Sequence, residues 1–344
     1  MRGLQNLLVL VIATLLSLGG AELVAYLGGV PLAAPRYCPD EAEARESQNF
    51  VPDPAIGWRM RAEHEFRFST EGSSILYRAD REGFRTLAEG DPTLPPREPV
   101  TRHIAVTGDS YAWGYGVPYR ESFAGLLESR LAATAVHNVA MPGFGVDQAW
   151  LALRHYGLDA DTDVAIVTLY PDDFERSFSA FRPAEGFGKP AYELRAGELV
   201  ARGVADCPPG WSRFAERHSR LFGLYRRLAL RVGRQLGQGS WWSLNAAILD
   251  AIQRDCAERG VPLLFVHIPY ETWIPFPALA ARLRADGVGY LDLYEAFGEA
   301  HRDYYFPNDG HLNAAGHRRL AELIEAWLVE TLGAATAEEA GSDR

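Results

Sequence analysis

Positive charge is scarce in this chain of 344 residues: 34 Lys and Arg stand against 45 Asp and Glu, a net charge of -11. A surface of that sign excludes a general affinity for nucleic acid, which needs clustered positive charge. Lysine is all but absent, Lys189 being the only one, which marks a compositional bias rather than a function. Cysteine is also rare. Cys38, Cys207 and Cys256 are scattered without metal-type spacing. Cys256 falls in an amphipathic pattern and reads as a buried thiol, whereas Cys38 and Cys207 lie in Pro-containing loops where pairing is open but not required. No second apolar run matches the one at the amino terminus. Disorder is excluded too, since 47% hydrophobic and 23% charged residues suffice for one large domain with additions.

The amino terminus is the exception to this moderation. From Leu7 to Leu27 the chain is apolar apart from Glu22, the length of a membrane-crossing helix. Residues 1-30 are expected to be a retained signal anchor because apolar character resumes after Glu22; Gly19 and Ala21 would also suit cleavage of a signal peptide. Arg2 on one side and Asp40, Glu41, Glu43 and Glu46 on the other place the remainder outside the cytoplasmic membrane. A secreted or periplasmic form after cleavage is the alternative. Residues 31-100, rich in Pro, Arg and Glu with short β-like pieces, read as a stalk with a small strand-containing extension.

Residues 101-333 carry an alternation of strands and helices. Apolar β-prone runs at Ile104–Val106, Val136–Val139, Asp163–Leu169, Pro262–Ile268 and Gly289–Leu293 are separated by helical patterns, which predicts an α/β fold: a three-layer flavodoxin-like sandwich with a central parallel sheet of about five strands. A closing helix is expected over 313–332 and a disordered tail over 334-344. Residues 175-243 exceed what a crossover needs and form an insertion, a candidate lid or partner surface. In it, arginines interleave with apolar residues from Arg213 to Arg234. That pattern suits either a helix resting on an anionic membrane or one packed on the core with its arginines in solvent. Trp241 and Trp242 suit either sugar stacking or an interface.

Two blocks carry chemistry. Gly108-Asp109-Ser110 follows the first strand, so Ser110 stands where parallel sheets open their ligand crevice. Far along the chain, Asn308-Asp309-Gly310-His311 supplies an acid and a base in one loop, which a serine nucleophile requires. As a pair, in this order and at this separation, the blocks resemble the SGNH/GDSL hydrolase superfamily. The resemblance implies a Ser110, His311, Asp309 triad. It implies an oxyanion hole from the N–H of Ser110, that of Gly143 in the block Asn138–Gly145, and a side chain at the asparagine position, here Asp172. That last residue departs from the pattern, since an ionised carboxylate donates no hydrogen bond. The last block departs as well. The family's acid usually stands three residues before the histidine, a position held here by Asn308, whereas Asp309 stands two before, as in the alginate-acetylation branch.

An envelope enzyme acting on O-acyl esters is therefore expected, an esterase or acyltransferase on a glycan or cell-surface polymer. The alternative is a catalytically impaired domain of the same fold that binds a polysaccharide or an assembly partner. The partners expected are an ester substrate, such as an acylated glycan, and the membrane through the amino-terminal helix, with no nucleic acid. His317 beside Gly316 reads as structural rather than as a metal ligand. Gly108, Gly114 and Gly116 do not form the dinucleotide fingerprint, and no cofactor or metal is implied.

Overall fold

A computed structural model describes residues 2–32, 49–70, 73–87, 99–182, 187–204, 210–269 and 277–342. The Cys38–Cys207 pairing and the first part of the 31-100 segment fall outside them. Helix α1 spans Arg2–Leu27. Two antiparallel hairpins follow, β1 (Phe50–Asp53) with β2 (Gly57–Met60) and β3 (Glu65–Thr70) with β4 (Ser73–Arg78). The alternating units then begin with β5 (Arg102–Thr107), the short α2 (Ser110–Trp113), α3 (Phe123–Arg130), β6 (Thr134–Asn138), α4 (Val146–Ala152), β7 (Val164–Leu169) and α5 (Pro171–Arg176). The insertion holds the hairpin β8 (Pro190–Arg195) and β9 (Glu198–Val204), then α6 (Gly210–His218) and the first part of α7 (Arg220–Ala257). Strand β10 (Leu263–His267), α8 (Pro277–Asp286), β11 (Gly289–Asp292) and α9 (Ala314–Ser342) complete the chain.

One parallel sheet organises the molecule, with neighbours in the order β6-β5-β7-β10-β11. Counted along the chain this is 2-1-3-4-5, the flavodoxin-like order, in which the crevice lies beyond the carboxyl ends of the strands near the switch point between the first and third. Every residue of β7 and of β10 is buried. Such continuous apolar runs belong to strands covered by helices on both faces. The edge strand β6 instead alternates between buried and partly exposed positions, as a strand with one wetter face does.

The strand-bearing residues 49–87 share this core. Trp58, Tyr77 and Phe84 are buried in it. Tyr77 stacks on Trp113 at 4.3 Å, and the Arg85 guanidinium donates to the carbonyls of Trp113, Gly114 and Val117 at 2.5–2.6 Å. Its cation lies 4.4 Å over the Tyr77 ring. Burial pulls Arg85 down to about 10, against the opposing pull of Tyr77 and Tyr119. The three carbonyls and the ring faces of Tyr77, Trp113 and Tyr119 are what make a buried cation tolerable here.

Helix α7 is long, and its last turns enter the core through Leu244, Ile248, Leu249 and Ile252. Helix α9 ends at Ser342. Cys256 is buried and free, its thiol pushed up to about 12 by burial.

Candidate active site

The position of Ser110 follows from three adjacent residues. Gly108 ends β5 with φ 146°, and a Cβ there would sit 2.0 Å from the Thr168 hydroxyl of β7, so only glycine lets the two strands meet. Asp109 then caps α2, its carboxylate accepting from Tyr111 N at 3.0 Å. Ser110 follows as the first residue of α2, where a backbone N–H has no acceptor within the helix. Gly114, left-handed at φ 81°, ends that single turn.

The loop before α9 brings His311 to this serine. His311 Nε2 lies 2.8 Å from Ser110 Oγ, and its ring sits against Tyr115 at 4.3 Å and Tyr111 at 4.9 Å. Asp309 overcomes its short spacing by folding back. Gly310 is left-handed at φ 75°, so Asp309 Oδ1 accepts both the His311 backbone N–H at 2.9 Å and, at 3.3 Å, faces His311 Nδ1. With the Asp309 carboxylate as its acceptor, Nδ1 carries the ring proton, and Nε2 faces the Ser110 hydroxyl as an acceptor. Tyr111 OH donates to Gly310 O at 2.9 Å and pins the loop to α2.

The other oxygen of Asp309 is engaged by a residue from far upstream: Thr70 Oγ1, at the end of β3, donates to Oδ2 at 2.9 Å. Partial burial pushes the Asp309 carboxyl up. The His311 ring, the His311 N–H and the Thr70 hydroxyl more than offset this and hold it down to about 2. Asp309 is therefore a carboxylate throughout the neutral range.

Gly143 is left-handed at φ 79° in the turn after β6. That turn is tied to the turn before Ser110 by Met141 N donating to Gly108 O at 3.3 Å, and to the upstream segment by Trp58 Nε1 donating to Pro142 O at 3.3 Å. Asp172 stands in the first turn of α5. Its side chain is 46% exposed and forms a 4.0 Å ion pair with Arg176.

Beside Asp172 lies an assembly that the sequence reading misses. Arg176 Nη1 donates to Asp109 Oδ2 at 2.9 Å, Asp173 Oδ1 at 2.7 Å and Phe144 O at 3.1 Å. Asp173 Oδ2 accepts Tyr170 N at 2.9 Å and so caps α5. Burial, then the neighbouring Asp109, raises the Asp173 carboxyl well above the usual range, against the pull of Arg176. Burial lowers Arg176, but Asp173 and Asp109 more than reverse this and raise it. The i,i+3 spacing of Asp173 and Arg176 on a helix was the available signal. Thr70 offered none, being 239 residues from its partner. His317 is buried, and its Nδ1 accepts Phe123 N at 3.3 Å at the start of α3. Burial, with Arg85 and His311 nearby, lowers it to about 3, so it is a neutral structural acceptor.

No family model matches the chain, and no curated protein matches it. Solved structures do. A member of the lipolytic G-D-S-L family from Veillonella parvula is matched at 14% identity and a TM-score of 0.38, covering 64% of this chain and 94% of that one. A GDSL-like lipase from Bacteroides thetaiotaomicron is matched at 8% identity and 0.40, covering 67% and 89%. A psychrotrophic esterase from a Pseudoalteromonas species is matched at 11% identity and 0.38, covering 66% and 98%. The chain's own sheet order 2-1-3-4-5, with Ser110 in the turn after the first strand and Asp309 and His311 in the loop before the last helix, makes this a flavodoxin-like α/β fold with the three side chains at the carboxyl end of its sheet.

Proposed function

We propose that this protein is an envelope serine hydrolase of O-acyl esters, held to the membrane by α1 and using Ser110, His311 and Asp309. The observation that carries the reading is the 2.8 Å contact of Ser110 Oγ with His311 Nε2, with Asp309 behind the ring. Ser110 Oγ attacks the ester carbonyl carbon as its proton passes to His311 Nε2. The backbone N–H groups of Ser110 and Gly143 receive the charge on the carbonyl oxygen. Collapse expels the alcohol, which takes the proton from the imidazolium, and leaves an acyl-serine. Water attacking through His311 releases the acid; an acceptor hydroxyl doing the same makes a new ester, the acyltransferase outcome. The substrate class we favour is an acylated glycan or cell-surface polymer, since an anchored enzyme outside the cytoplasmic membrane meets such esters.

Asp172 is the weak point of this assignment and favours a second reading, in which an impaired cleft binds a polysaccharide or assembly partner. Its exposure and its pairing with Arg176 support a hole of two backbone donors, with Asp172 contributing no third. One absent donor costs about 3 kcal/mol, which slows acyl transfer without abolishing it. Turnover of p-nitrophenyl acetate by the full chain separates the two. The enzyme reading expects hydrolysis that disappears in Ser110→Ala, and the binding reading expects equal background rates.

For localisation, α1 supplies a 19-residue apolar stretch, Val9–Leu27, at mean hydropathy 1.9 with 6% buried. Retention of the protein in carbonate-washed membranes is the expected result, and a soluble form beginning near Glu22 would show a cleaved signal instead.

A further inference from the structure

The last turns of α1 are not free of the enzyme. Glu22, the one acid within the apolar stretch, accepts Ser219 Oγ at 2.9 Å and Leu221 N at 3.2 Å, and also takes the N–H of Arg220. It thus caps α7 from another element. Arg220 reaches on to the Val30 carbonyl and lies 5.0 Å over the Tyr26 ring. Glu22 is five residues before Leu27, about 7.5 Å of helix rise. The junction of α6 and α7 is therefore fixed alongside the final apolar turns of α1, at the depth where that segment would leave a bilayer.

The face around this junction is unlike the rest of the domain. Trp211 is 70% exposed, Phe214 66%, Tyr225 64% and Leu228 51%. Their spacing is helical on α6 and again on α7, which makes an apolar stripe. Between Gly210 and Ser243 the sequence has seven arginines and one acid, Glu216, a local charge of +6 in a chain whose total is -11. Exposed aromatics beside arginines are the composition of a helix lying at a lipid headgroup layer.

We propose that α6 and the first turns of α7 are a membrane-seating surface that lies on the anionic phospholipid face beside α1. The proposal rests on α1 being a retained membrane span. Trp211, Phe214, Tyr225 and Leu228 enter the headgroup boundary, and the positive charge of this arginine-rich segment favours an anionic lipid face. The Glu22 cap sets the angle between span and seat. Because α7 continues into the sheet-packed turns from Leu244, the seat fixes the orientation of the catalytic domain above the membrane instead of leaving it on a swivelling tether.

The test uses the full chain in liposomes of phosphatidylglycerol and phosphatidylcholine, the latter brominated near the top of its acyl chains, with flotation to report the span. Wild type should float and lose tryptophan emission on brominated lipid, and most of that loss should disappear in Trp211→Phe. Replacing phosphatidylglycerol with phosphatidylcholine should cut the Trp211-dependent quenching several-fold. Flotation with unchanged quenching in Trp211→Phe overturns the seat while leaving the anchor, and would assign this face to a protein partner. Failure to float overturns both. Quenching indifferent to phosphatidylglycerol overturns the role given to the arginines.

Discussion

Two carboxylate assemblies flank Ser110 and are built in opposite ways. Asp309 is partly exposed, accepts hydrogen bonds on both oxygens, and is held down to about 2. Asp173 is buried against a second carboxyl, Asp109, with one guanidinium between them, and is raised. The first remains an anion facing the His311 ring. The second is a clamp joining α5 to Asp109, beside Ser110, and to the Phe144 carbonyl. In the proposed mechanism one residue type thus serves as orienter of the base or as structural brace according to solvation and donor count.

Removing the base or its orienter should have the largest effect. His311→Ala is expected to lower kcat about 10⁴-fold or more, and Asp309→Ala nearly as much, measured on p-nitrophenyl acetate. Asn308→Ala should change little. A larger loss from Asn308→Ala than from Asp309→Ala would give the orienting role to the wrong side of the comparison. On the clamp side, Arg176→Met leaves two buried carboxyls unpaired and should cost about 3–5 kcal/mol of stability, read by denaturant unfolding. A loss below about 1 kcal/mol would mean that the clamp is not a brace.

Asp172→Asn tests the gap between the two assemblies. Supplying an amide donor where the resembled family carries one should speed ester turnover by roughly tenfold or more. No gain anywhere from pH 6 to about 9 would place residue 172 away from the oxyanion. Smaller again, Thr70→Val removes one hydrogen bond, about 1 kcal/mol or roughly fivefold in kcat. Its loss should be rescued by Thr70→Ser.

The pH responses of the two sides have opposite signs. The Asp309 carboxyl is depressed in the fold, so its contribution to stability is full above the ordinary value of about 4 and is lost as pH falls through about 2. The raised Asp173 contributes most below about 4 and loses its contribution as pH rises. Asp309→Asn should therefore flatten the fall in stability between about pH 4 and 2. An unchanged acid limb would remove Asp309 from that account.

Much of this arrangement was legible in the sequence because it is local. The five strands are apolar runs of the right length, Ser110 follows a glycine turn, and Asp309 and His311 share one loop, so short-range pattern suffices. What could not be read depends on distant partners. Thr70 belongs to a hairpin whose packing against α2 is set by Tyr77, Trp113 and Arg85, three residues with no mutual sequence signal. Asp172 and Asp173 are adjacent and chemically identical, yet one is exposed and the other buried. Only the pitch of α5 against the core decides which is which. The sole lysine carries the same lesson: Lys189, a bias in composition, is a fully buried partner of Asp147 that ties the insertion to α4.

Whether His311 and Asp309 make Ser110 a nucleophile is read directly by covalent labelling. Full-length protein treated with a fluorophosphonate should gain one adduct, mapped by peptide mass to Ser110, absent in Ser110→Ala and formed far more slowly in His311→Ala. A folded wild-type protein that stays unlabelled, or that is labelled equally in Ser110→Ala, would contradict that role for Ser110.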